Sequence, residues 1–169
     1  MDFKEYIIKR NKSKIEVFYT VLLYLLASVI SVFVLLLLFN PMLGGIWLLL
    51  IVGVFFGAHK LSTKFNREYE YIITKDIVDI DVIYNAASRK RLISFSVHEV
   101  EEIAPAKDKD TSDDRGYSKV INATTNTKGA KIYSVVLEKE GKVLIKFEPP
   151  FSMLEIMKKL EPRKVVINE

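Results

Sequence analysis

Two apolar runs without a single charged residue stand near the N-terminus, from Val17 to Phe39 and from about Met42 to Ala58, joined by a short uncharged turn. At the helical rise, the first is about 35 Å long, against a bilayer hydrocarbon core of about 30 Å. The pair predicts a two-helix transmembrane hairpin at residues 17–62. Asn40-Pro41 ends the first helix, because the residue before a proline is driven out of helical geometry. Gly44 and Gly45 permit the reversal.

The flanks set the orientation. Lys4, Lys9, Arg10, Lys12 and Lys14 precede the first run, and Lys60, Lys64 and Arg67 follow the second. Cationic residues stay on the cytoplasmic side, so a multi-pass plasma-membrane protein with both termini cytoplasmic is expected. A signal peptide does not fit. The first run is too long, no small-residue cleavage site follows it, and a second span comes at once.

The chain has 169 residues, leaving about 100 for one modest cytoplasmic core. Residues 1–64 carry seven Lys/Arg against Asp2, Glu5 and Glu16, a net of +4, and residues 65–169 carry eighteen of each sign. The excess positive charge therefore sits beside the bilayer, where anionic headgroups attract it. The remainder lacks the basic footprint of a nucleic-acid binder. With no cysteine, disulfides, thiolate catalysis and cysteine-ligated zinc are excluded.

Residues 1–16 read as a basic cytoplasmic flank, either an interfacial helix or a frayed end. Glu16 belongs to the helix start. Within the spans, Gly53 and Gly57, and likewise Ala27 and Ser31, are small residues one turn apart. These two faces are expected to pack against each other, with self-association through Gly53 and Gly57 as the alternative.

From Arg67 the period changes to two. Tyr69 and Tyr71 alternate with Glu68 and Glu70, and Val78, Ile80, Val82 and Tyr84 alternate with Asp79 and Asp81. Thr74-Lys-Asp76 joins two such strands, and Asn85-Ala-Ala-Ser88 leads to a strand at Lys90–Phe95. Ser96 and Glu99 have capping-box spacing ahead of Val100–Ile103. Residues 104–130 open with a charged loop, followed by a strand at Tyr117–Ala123. Ile132–Leu137 and Val143–Phe147 form a hairpin through Glu140-Gly141. After Pro149-Pro150 comes an amphipathic helix with a capping box at Ser152 and Glu155 and a staple between Phe151 and Ile156. Its apolar face is Met153, Leu154, Met157 and Leu160, and it stops before Pro162. Val165–Ile167 reads as a short closing strand. No internal repeat is evident.

About seven short strands followed by one amphipathic helix resemble a pleckstrin-homology-like (PH-like) domain. The two spans, Tyr69 and Tyr71, Asp79 and Asp81, the basic Arg89-Lys-Arg91 and the Val100-Glu-Glu-Ile-Ala-Pro105 segment are similar to an uncharacterised bacterial family of two-span membrane proteins with a PH-like cytoplasmic domain. The resemblance implies a small α+β domain at residues 65–169, a mostly antiparallel β-barrel with a C-terminal helix. It implies no activity, cofactor or metal.

Candidate chemistry is sparse. His59 and His98 stand apart and lack metal-ligand spacing. Asp108, Asp110, Ser112 and Asp114 match the first positions of a calcium loop, but Asp113 and Lys119 fall where glycine and glutamate are needed. Asp76, Asp79 and Asp81 have no nucleophile, histidine or phosphate cradle beside them. Arg89, Lys90 and Arg91 are the candidate contact for lipid headgroups or an acidic partner. Phosphoinositide-binding PH domains carry such residues in the first hairpin turn, here Thr74-Lys-Asp76. The expected function is a non-enzymatic, membrane-anchored interaction or scaffold module with a protein partner. The alternative is a sensor of anionic headgroups.

Overall fold

The computed structural model describes residues 3–38, 45–106, 116–138 and 141–167. It divides into two compact units, Met1–Asn11 with Arg67–Glu169, and Lys12–Asn66.

The second unit holds helices α1 (Lys14–Leu38) and α2 (Ile46–Thr63), which pack on one another. Both are long and apolar enough to cross a membrane. Ser13 stands just before α1 and donates its backbone N–H to Glu16 Oε2 at 2.8 Å, the reciprocal half of a capping box. Thr20, Ser28 and Ser31 return their hydroxyls to the carbonyls of Glu16, Tyr24 and Ala27, so these polar groups are satisfied within the helix. Gly45, in left-handed geometry at φ 81°, leads into α2. Asn40, Pro41 and Gly44 lie outside the described residues.

The described residues of the first unit form eight strands in two four-stranded sheets. One is the meander β1 (Phe3–Lys9), β2 (Arg67–Thr74), β3 (Ile77–Tyr84) and β4 (Ser88–Ser96). The other contains β5 (Val100–Pro105), β6 (Lys119–Ala123), β7 (Tyr133–Glu138) and β8 (Lys142–Phe147) in the order β5-β7-β8-β6. All pairings are antiparallel except β6 with β8, which is parallel. Among the described residues no strand pairing joins the sheets, so the expected barrel takes the form of two separate sheets.

The N-terminus corrects the expected boundaries. Residues 3–9 are neither an interfacial helix nor a frayed end. They form a strand in register with β2, from Phe3 opposite Thr74 to Lys9 opposite Glu68. The strand-bearing unit therefore begins before the apolar helices, and those helices are an insertion between two paired strands. Beyond the ladder, Arg10 N–H donates to the Arg67 carbonyl at 3.0 Å, and Asn11 N–H to Thr125 at 2.8 Å. The sequence carries a trace of this: Glu5-Tyr-Ile-Ile8 recurs as Glu70-Tyr-Ile-Ile73, with Tyr6 opposite Tyr71.

One core serves both sheets. Tyr71, Ile73, Val78, Ile80 and Phe95 meet Ile103, Val135, Leu137, Ile145 and Phe147 in it. Helix α3 (Phe151–Leu160) adds Met153, Leu154 and Met157. The helix starts differently from the expectation. Pro150 is its N-cap, Ser152 already lies inside, and no side-chain cap forms. Proline presets the backbone for a helix start, and its carbonyl accepts from Met153 and Leu154 N–H. Phe151 is exposed, so it anchors no staple. The Ser96–Glu99 capping box forms as expected, on a 3-10 turn at Val97–Glu99. The expected closing strand is one parallel bridge, Val165 to Ile103.

Candidate functional site

The charged face of the first sheet carries the candidate basic cluster. A β-bulge places Ile93 opposite Ile80 but Arg91 opposite Asp81, leaving Leu92 as the extra residue. Since strand faces alternate, this one-residue shift turns Arg91 and Arg89 onto the face that bears Asp81 and Glu70. Arg89 Nη2 donates to Glu70 Oε1 at 2.7 Å. Arg91 Nε donates to Asp81 at 2.9 Å, and its Nη2 lies 3.1 Å from Asp79. The Asp81 hydrogen bond is the main cause holding the Arg91 guanidinium above its ordinary pKa. Lys90 sits opposite Val82, exposed.

The carboxylates below are the buried partners. Glu70 is fully buried and Asp81 is nearly so, whereas both arginine side chains are about half exposed. The three basic residues thus divide: Arg89 and Arg91 neutralise acids of their own sheet, and Lys90 points elsewhere. Burying a carboxylate requires such partners. Glu70 was not legible as a site residue, since in sequence it reads as the polar half of an alternating strand.

A polar junction ties the two sheets together. The Tyr71 hydroxyl donates to the Ala123 carbonyl and accepts from Glu148 N–H at 3.2 Å. Phe147 stands edge-on to its ring at 5.6 Å. Burial is the chief reason the Tyr71 hydroxyl titrates above the ordinary tyrosine range. Glu148 Oε1 in turn accepts from Thr125 N–H at 2.8 Å and from its hydroxyl at 3.0 Å.

The remaining candidates fall apart from one another. Asp76 accepts from Ser96 Oγ at 2.8 Å, a bond that holds its carboxyl below the ordinary range. His98 Nδ1 lies 2.6 Å from Glu161, whose pKa that contact lowers. His59 Nδ1 lies 3.3 Å from the Tyr24 hydroxyl. Among the described residues no group of three His, Cys, Asp or Glu side chains is placed to hold a metal ion. Asp108, Asp110, Ser112 and Asp114 lie outside the described residues.

In the helical unit, Ala27 and Ser31 are buried, as are Ala58 and Ser62 on α2. Gly53 and Gly57 are different: a Cβ on either would meet nothing within 4 Å. The glycines therefore do not provide a close approach to α1, and the expected packing of the two small-residue faces is not seen.

Comparison with curated proteins gave no match, and comparison with solved structures gave none. The family described as "Bacterial PH-like domain (DUF6106)" matches residues 2–167, which takes in β1, both apolar helices and both sheets. The chain belongs to this bacterial PH-like domain family.

Proposed function

We propose that this chain is a non-enzymatic interaction module, a PH-like unit anchored at the cytoplasmic face of the plasma membrane by α1 and α2. The observation that carries the reading is the β1–β2 ladder across the helical insertion. Strands that pair must lie on the same side of a bilayer, so if one of the two helices crosses it the other must cross back, which supports a two-span hairpin. The cationic flanks then favour the cytoplasmic side. Only 11 % of the apolar window of each helix is buried, which leaves a large apolar surface for lipid to cover. PH-like domains are typically non-catalytic, and a partner-binding role follows by fold analogy.

A protein partner is favoured over lipid headgroups as the ligand. Arg89 and Arg91 are each engaged by carboxylates of their own sheet, which lowers the charge they offer to an anionic surface. Lys90 remains the headgroup candidate. Self-association through the Gly53 and Gly57 face of α2 is a further proposed contact.

The test is purification of the tagged full chain from gently solubilised native membranes, beside a chain of residues 12–66 alone. A stoichiometric protein held by the full chain and lost from the helical unit supports the module. Vesicle binding by the full chain that weakens with salt and with Lys90→Ala, in the absence of a protein partner, favours headgroup sensing.

A further inference from the structure

The two oxygens of the buried Glu70 carboxyl have different surroundings. Oε1 accepts from Arg89. Oε2 is sealed from solvent and receives no donor hydrogen bond. On the β1 side the acidic neighbour that acts on it is the Glu5 carboxyl, one of the causes raising the Glu70 pKa. The repeated Glu-Tyr-Ile-Ile explains the meeting. With Tyr6 opposite Tyr71, Glu5 stands opposite Ile72 and Glu70 opposite Ile7. The two glutamates are therefore diagonal neighbours on one sheet face, close enough for long side chains to touch.

Two ionised carboxylates are both acceptors, so no hydrogen bond joins them unless one holds a proton. The other charged groups facing Glu70 are Arg89 from β4, which favours ionisation, and Asp81 from β3, which opposes it and is itself held by Arg91. We propose that Glu70 carries a proton on Oε2 and donates it to the Glu5 carboxyl, and that this hydrogen bond latches β1 onto β2, making attachment of the N-terminal strand pH-sensitive. Burial, then the Glu5 contact, hold the Glu70 carboxyl above the ordinary glutamate range. The attached strand keeps a proton that the detached strand releases, so the latch is secure at low pH and weakens as pH rises toward the raised folded value. Among the described residues β1 is an edge strand with β2 as its neighbour, and the chain continues from it to α1.

The chain has no cysteine, and Ile8 on β1 is buried, so Ile8→Cys reports opening of β1. The full chain in lipid nanodiscs is labelled with a thiol reagent from about pH 5.5 to about pH 9, and rates are normalised to a free thiol at each pH. The expected normalised rate rises with pH, by up to about tenfold per unit where one proton is released on opening. Adding Glu5→Gln supplies a permanent amide donor to Oε2, so labelling becomes slow and flat across the range. Glu70→Gln flattens it as well, and Glu5, being exposed, decides the matter even if the Glu70 variant fails to fold. A flat profile in the parent, or an unchanged slope in Glu5→Gln, overturns the latch.

Discussion

Tyr6 stands opposite Tyr71 in the β1–β2 ladder although both apolar helices lie between them in the chain. This pairing makes the helical unit an insertion inside a sheet rather than an N-terminal leader. Ile8 is the buried side chain of β1. Ile8→Ala is expected to cost about 2–3 kcal/mol. Phe3→Ala, at an exposed position of the same strand, is expected to stay within about 0.5 kcal/mol. Denaturant unfolding of the full chain in detergent measures both.

The Tyr71 hydroxyl serves a carbonyl from β6 and an amide beyond β8 at once. Tyr71→Phe leaves both backbone groups without this partner while keeping the ring against Phe147. A loss of about 1–3 kcal/mol is expected from the unpaired groups, with little change in the circular dichroism of the folded state. An unchanged unfolding midpoint would show that the junction is dispensable.

Arg89 and Lys90 are adjacent in sequence and unequal in structure. Arg89→Ala strips the partner from buried Glu70 and is expected to destabilise by about 1–3 kcal/mol, discounted from a fully buried pair because the guanidinium is half exposed. Lys90→Ala is expected to change stability by no more than about 0.5 kcal/mol. Equal effects from the two would mean that the bulge-driven sorting of this cluster is wrong.

Asp76 and Glu161 are both held below the ordinary carboxylate range, by Ser96 and His98 respectively. A depressed folded pKa adds stability above the unfolded value, and that stability disappears as pH falls through the folded value. Thermal midpoints of the full chain should therefore drop on the acid side. Ser96→Ala and His98→Ala should each make that drop shallower and should leave the alkaline limb unaltered.

Gly141 sits at φ 119°, and a Cβ there would come within 2.8 Å of Ser118 Oγ and 3.0 Å of Ser118 Cβ. Ser118 is itself fixed, with its N–H and hydroxyl both donating to the Lys142 carbonyl. Gly141→Ala is expected to cost about 1–3 kcal/mol through strain and crowding together. Gly129→Ala faces positive φ alone, with open space around it, and should cost less.

Much of the fold was legible where one period ran unopposed. The alternation of Tyr69, Tyr71, Val78, Ile80 and Val82 located the buried face of β2 and β3, and all five are buried. The Ser96–Glu99 capping box was readable from spacing alone. β1 was missed because its Lys and Glu residues mimic a membrane-flanking segment, and only the echo of Glu5–Ile8 in Glu70–Ile73 pointed to its partner. The sorting of Arg89, Lys90 and Arg91 was hidden as well, since a bulge at Leu92 depends on which strand lies opposite. The glycines of α2 matched a packing motif, yet a motif does not state which side of a helix meets a neighbour.

The proposed topology puts both flanks of the helical insertion on the cytoplasmic side, with α1 and α2 crossing the membrane. Single-cysteine variants Lys4→Cys, Ile46→Cys and Lys90→Cys, made in this cysteine-free chain, test it with a membrane-impermeant maleimide on intact spheroplasts. Labelling of Ile46→Cys in intact spheroplasts, and of the other two only after permeabilisation, is the predicted result. Labelling of Lys4→Cys or Lys90→Cys without permeabilisation, or protection of all three alike, would contradict it.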